Sequence, residues 1–211
     1  MLDILPLLLG PVQTNTYLLA DSESNEAIVV DPAWEGAKIA ATARERDWRI
    51  SAIWLTHAHF DHIGGVADLL DALPEPVPVY LHPAEEELWR SGGGGSLFGF
   101  RIRTAAETTP LHDRQELRVG NYAFRVMHTP GHRPGHCVFY CLAEKLLFSG
   151  DLIFHRSVGR TDLPGGDWAA LEKSIRERIY TLPAETHILP GHGEGTSVGE
   201  ERKGNGFVRG E

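Results

Sequence analysis

Apolar residues in this chain fall in short runs broken by turn-forming residues, the pattern of buried strands alternating with loops and helices. "LDILPLLL" (2–9), "TYLLA" (16–20), "AIVVD" (27–31) and "AIWLT" (52–56) predict four strands. The stretch 35–47 is rich in good helix formers, with Trp34, Ala37, Ala41 and Trp48 loosely periodic, and predicts a helix. "IGGVADLLDAL" (63–73) predicts a second helix and "VPVYL" (77–81) a buried strand. "PAEEELWR" (83–90) predicts a short helix with Pro83 early, where proline is tolerated. "SGGGGSLFGF" (91–100) breaks all regularity. A phosphate-binding loop would want a strand before it and a helix or Lys after it, so this run reads as a flexible surface loop.

The second half opens on four more strands, at 116–120, 122–129, 136–143 and 145–150. After an irregular stretch, 151–166, a helix is predicted over 167–182. Asp167 is its N-cap, and Trp168, Leu171, Ile175, Ile179 and Leu182 recur at helical spacing. "THIL" (186–189) is the last predicted strand. The tail from 194 onward is polar and Gly-rich and shows no helical pattern. Each half thus runs several strands into a helix and closes on a strand, an α/β arrangement without an obvious repeat.

A length of 211 residues allows one large domain or two small ones. A formal net charge of −9 argues against a nucleic-acid protein, which needs a basic face, but leaves an anionic substrate open. Cys137 and Cys141 lie four positions apart on one predicted strand, about 13 Å at ~3.3 Å per residue, too far for a disulfide. Reduced cysteines point to the cytoplasm. The apolar N-terminus carries Asp3 and Pro6 but no Lys or Arg, so it is not read as a signal peptide. No run approaches the ~18 apolar residues of a membrane helix.

Candidate chemistry gathers at strand ends. "THAHFDH" (56–62) offers His57, His59, Asp61 and His62; "HTPGHRPGH" (128–136) offers His128, His132 and His136; "LLFSGD" ends in Asp151 and "ILPGHG" carries His192. A lone His in a Pro-Gly turn is commonly structural, and a lone Asp at a strand end is commonly a turn former. The first cluster is different, because in an extended segment His57, His59 and Asp61 would point the same way. One catalytic zinc takes three protein ligands and a water. Seven of these, His57, His59, Asp61, His62, His132, Asp151 and His192, overfill one ion but suit a pair about 3.5–4 Å apart.

"HAHFDH", "TPGHRPGH", "FSGD" and "LPGHG", in this order, resemble the signature of the metallo-β-lactamase fold superfamily over about residues 40–192. The resemblance implies a four-layer αββα sandwich of two mixed β-sheets flanked by helices. It puts His57, His59 and His132 on one metal and Asp61, His62 and His192 on another, with Asp151 bridging. Asp61 and Asp151 are the residues it makes catalytic. His136 is expected to support the ligands and His155 to line the pocket, while His128 and His187 are read as structural. The implied cofactors are two divalent ions, zinc foremost, with iron or manganese also compatible.

"LIFHRSVGRTDLPGGD" (152–167), "LGPVQTNTYLL" and "GHGEGTSVGEE" are similar to the small glyoxalase II-like subgroup of hydroxyacylglutathione hydrolases. This implies hydrolysis of a thioester such as S-lactoylglutathione by a metal-bridged hydroxide. Arg160 falls where those enzymes place a glutathione-contacting Lys, and Asp162 where an aromatic contact stands. The larger enzymes carry a C-terminal helical domain that holds glutathione. This chain is expected to be a single domain over 1–211 without it. The alternative is a mononuclear-iron persulfide dioxygenase acting on glutathione persulfide, whose iron would use the equivalents of His57, His132 and Asp151. Either way the expected partner is a small molecule, with no nucleic acid and no membrane.

Overall fold

The computed structural model describes residues 1–104 and 107–210. The chain divides into two compact units, Met1–Leu111 with Arg118–Tyr122, and His112–Leu117 with Ala123–Glu211.

In the first unit, β1 (Leu2–Leu9), β2 (Thr14–Asp21), β3 (Glu26–Val30), β4 (Arg49–Trp54), β5 (Val79–Leu81) and β6 (Thr108–Pro110) form one sheet in chain order. β1 to β3 are antiparallel, while β3 to β6 are parallel. Parallel neighbours need long crossovers. α1 (Gly36–Arg44) joins β3 to β4, and α2 (Phe60–Ile63) with α3 (Val66–Ala72) joins β4 to β5. A 3-10 turn at Pro83–Glu85 and α4 (Glu86–Arg90) precede β6. Ile28, Val29, Ile53, Trp54 and Leu55 are fully or almost fully buried, which explains why these strands read as continuous apolar runs rather than alternating ones.

Two expectations change here. The single helix over 63–73 is divided: Gly64 and Gly65 pass against Trp34 and Pro32, and the first turn begins upstream at Phe60. The strand at 108–110 lacks an apolar run and was not legible in the sequence.

The second sheet is also mixed and six-stranded. Its strands are β7 (Glu116–Val119), β8 (Tyr122–His128), β9 (Cys137–Cys141), β10 (Leu146–Gly150), β13 (His187–Pro190) and β14 (Thr196–Ser197), in the order β14-β13-β10-β9-β8-β7. A small hairpin, β11 (Ile153–Phe154) and β12 (Ser157–Val158), follows β10. α5 (Trp168–Ser174) continues through a π-helical turn at Ile175–Ile179. Asp167 caps α5 as expected, its Oδ1 accepting from the Ala170 amide at 3.0 Å. Leu171, Ile175 and Ile179 are fully buried, whereas Trp168, on the first turn, is largely exposed. Cys137 and Cys141 are buried on β9 and are not joined in a disulfide.

The tail corrects the sequence reading. Residues Val198–Gly204 form α6, capped by Ser197, whose Oγ accepts from the Glu200 amide at 3.2 Å. The missed signal is a capping box, Ser197-x-x-Glu200. Among the described residues no helix is long and apolar enough to cross a membrane.

Strand direction decides where the candidate ligands emerge. β3, β4 and β5 are parallel, so Asp31, the "THAHFDH" segment and Glu85 leave one edge of the first sheet. In the second sheet β8 and β10 are each antiparallel to β9, and β13 is parallel to β10. The residues after β8, β10 and β13 therefore share an edge, and these carry His132, Asp151 and His192.

Candidate metal centre

Four donors belong to the first unit. His57 and His59 sit on extended backbone after β4, and Asp61 and His62 lie on the first turn of α2. The simple same-face alternation expected for Asp61 therefore does not hold, because the chain turns helical between His59 and Asp61. The result is tighter: His57 Nε2 and His59 Nδ1 are 3.1 Å apart, the His57 and His62 rings have centroids 4.1 Å apart, and His62 Nε2 is 3.9 Å from Asp61 Oδ2.

Asp31 organises this arm from beneath. It is buried and held at φ 48°, a left-handed conformation disfavoured for a residue with a side chain. Its Oδ1 accepts from the Thr56 amide at 2.8 Å, and its Oδ2 accepts from the Thr56 hydroxyl at 2.6 Å and pairs with His62 Nδ1 at 2.9 Å. With its hydroxyl proton given to Asp31, Thr56 Oγ1 accepts from His57 Nδ1 at 3.0 Å. His57 and His62 are thereby fixed as tautomers that turn Nε2 outward as a lone-pair donor.

The backbone of the motif is pinned from two sides. The Ala58 amide donates to Glu85 Oε2 at 3.1 Å, and the Phe60 amide donates to Gly93 O at 3.0 Å. The glycine run is thus not a loose surface loop. Gly92, Gly93 and Gly95 are buried, and a Cβ on Gly93 (φ 67°) would lie 2.4 Å from the Phe60 nitrogen. Only glycine permits this approach of loop backbone to the start of α2.

Three donors belong to the second unit. Asp151 Oδ2 lies 3.7 Å from His132 Nε2 and 3.6 Å from His192 Nε2. His132 donates through Nδ1 to Arg160 O at 2.7 Å, again leaving Nε2 for a ligand. The Asp151 amide donates to His136 Nε2 at 3.2 Å, and His136 Nδ1 donates in turn to Thr129 Oγ1 at 3.0 Å. His136 therefore holds the backbone of Asp151.

The remaining predicted residues are placed as follows. The Arg160 guanidinium is exposed and engaged with both carboxylate oxygens of Asp162, at 2.7 and 2.8 Å. That pairing holds the Asp162 carboxyl down at about 2. His155, on the turn between β11 and β12, bonds Glu194. His128 Nε2 donates to Pro134 O at 2.8 Å, a structural tie within its turn, and His187 is exposed on β13. Asp31, Thr56 and Glu85 are the residues the sequence reading missed. Asp31 had a signal: an acid closing the apolar run "AIVVD" is a buried carboxylate that must be satisfied.

Comparison with known proteins gives this arrangement its context. A model described as the metallo-β-lactamase superfamily matches residues 9–192. The chain belongs to that superfamily. Its fold, α/β with two mixed sheets flanked by helices, is the metallo-β-lactamase fold. Among curated relatives, the probable metallo-hydrolase YqgX of Bacillus subtilis is 37% identical over 205 residues, 95% of each chain. The hydroxyacylglutathione hydrolase GloC of Haemophilus influenzae is 30% identical over 209 residues, 93% of each. Among solved structures, TTHA1623 in a di-iron-bound form superposes with a TM-score of 0.88 at 42% identity, covering 97% of this chain and 100% of that one. The BLEG-1 B3 metallo-β-lactamase does so at 0.88 and 38%, covering 99% of both.

The donors of this metallo-β-lactamase-fold chain fit divalent metal. They are imidazole and carboxylate, a set suited to zinc, iron or manganese. His57, His62 and His132 each have Nδ1 held by a protein oxygen, the arrangement typical of metal-bound histidine. His57 Nε2 and His59 Nδ1, 3.1 Å apart, are close enough for one ion to take both.

Proposed function

We propose that the chain is a two-metal thioester hydrolase acting on hydroxyacylglutathiones of the S-lactoylglutathione type. By resemblance to the superfamily signature, His57, His59 and His132 would hold one ion and Asp61, His62 and His192 the other, with Asp151 shared between them. The observation that carries it is Asp151, whose Oδ2 stands within 3.7 Å of one histidine and 3.6 Å of another. Those histidines come from different strand ends, and a carboxylate within reach of both is the group able to bridge two ions. The 30% identity to GloC over nearly the full length of both chains supports the substrate class.

When bound, two such ions supply hydroxide near neutral pH and polarise the carbonyl under attack. The residues of the chain do the rest. Asp31, Thr56 and the Arg160 carbonyl keep three imidazoles in the ligating tautomer. His136 and Glu85 fix the main chain of Asp151 and of the "HAH" segment. A thiol leaving group has a pKa of about 8.5 and departs as thiolate, so the site needs no dedicated general acid. Arg160 is the candidate carboxylate contact, and to serve it must exchange Asp162 for substrate.

The likeness to BLEG-1 favours a second substrate for the same residues, the strained amide of a β-lactam. A departing amine needs a proton where a thiolate does not, which ranks the thioester first. The deciding experiment offers the metal-loaded protein S-lactoylglutathione, a β-lactam and glutathione persulfide. Fastest loss of the thioester absorbance is the expected result. Oxygen uptake on the persulfide with one iron per chain would overturn the proposal, and faster opening of the β-lactam would move it to the second substrate.

A further inference from the structure

An aromatic ledge joins the first-unit donors at Phe60. Phe60, between His59 and Asp61 in sequence, stacks on Phe98 with centroids 5.2 Å apart and on Phe100 at 5.4 Å, with interplanar angles of 27° and 16°. Trp34 meets Phe100 and Phe60 edge-on at 5.5 and 6.2 Å. These distances are those of favourable aromatic pairs. The ledge is open to solvent at its outer end, where Phe98 is 52% and Leu97 78% exposed. Both side chains ride on the 3-10 turn Gly95–Phe98, which the buried glycines bind to the start of α2. Phe98 and Leu97 are large apolar side chains held outward on an anchored turn, and Phe98 stacks on Phe60, which lies between two candidate donors in sequence.

We propose that Phe98 and Leu97, backed by Phe60, form the acyl subsite of the enzyme and select thioesters with an aromatic or similarly bulky apolar acyl group over the small lactoyl group. The inference rests on the thioesterase reading and extends it to substrate class. Glutathione is polar and carries two carboxylates, so the thiol half does not match an apolar ledge. The acyl half is the part of the substrate that can. An aromatic acyl group would continue the Phe60–Phe98 stack by one ring.

The test has two arms. In the first, kcat/KM is measured for S-mandeloylglutathione and S-lactoylglutathione, which share thiol and α-hydroxyl and differ in the ring. The wild type should prefer the mandeloyl ester, and Phe98→Ala should lower that preference about tenfold, the scale of one lost aromatic pair with its burial. Phe98→Trp should restore it. In the second arm, binding of mandelate and lactate to the metal-free protein is followed by ligand-observed NMR. Mandelate should bind more tightly, and Phe98→Ala should remove the difference. This arm reads the ledge even if neither ester is hydrolysed, so failure of the thioesterase reading and failure of the subsite are told apart. Equal binding of the two acids, or an unchanged preference in Phe98→Ala, overturns the subsite. A Phe98→Ala change in sedimentation without a change in preference also overturns it, by making the ledge a contact between copies of the chain.

Discussion

Asp31 decides which nitrogen of His62 carries the proton, and through Thr56 it does the same for His57. Replacing it with Ala leaves both rings without that direction. The expected outcome is a fall of about 10- to 100-fold in metal affinity, read by competition with a chromophoric chelator, with little change in the fold by circular dichroism. Arg160 and Asp162 supply a second prediction. The folded Asp162 carboxyl lies at about 2 because Arg160 bonds it. A carboxyl lowered on folding keeps its pairing above its ordinary value, ~3.9, and loses it only as pH falls through about 2. The pair is therefore intact throughout the neutral range, and Asp162→Asn should lower KM for a carboxylate-bearing thioester at pH 7 in steady-state assays. At this scale the candidate donors were legible in the sequence, since imidazole and carboxylate groups crowd at strand ends. Their supports were not, because Asp31 and Glu85 stand 26 and 28 positions from His57 and become neighbours only when parallel strands align.

Among the elements, the strands β1 to β5 and α1 could be read directly, since apolar β-runs and helix formers leave strong patterns. The glycine run could not. Its sequence suggests mobility, yet its backbone bonds Phe60 and lies too close to admit a side chain. Gly93→Ala should displace Phe60 and the neighbouring His59 and Asp61, lowering both thermal stability and metal content, the latter measured by elemental analysis of the purified variant. The tail shows the opposite error. Polar, Gly-rich sequence suggested no helix, but Val198 and Glu201 are fully buried and Ser197 caps the first turn. Ser197→Ala should cost about 1 kcal/mol in denaturant unfolding without altering metal content.

For the molecule as a whole, the family, the two mixed sheets and the order of the motifs followed from the sequence, because four motifs in fixed order constrain far more than any one of them. The proposed two-metal function requires all seven donors to serve one pair of ions. It predicts that Asp151→Ala loses most activity and binds both metals poorly. It also predicts that metal removal lowers the unfolding temperature and that readdition restores it, since a ligand bound by the folded state alone stabilises it. The most direct measurement is a titration of the metal-free protein with zinc, iron or manganese while hydrolysis of S-lactoylglutathione is followed by its thioester absorbance. Activity should rise to a plateau at two equivalents of metal per chain. Full activity at one equivalent, or no thioester hydrolysis at two, would contradict the proposed function.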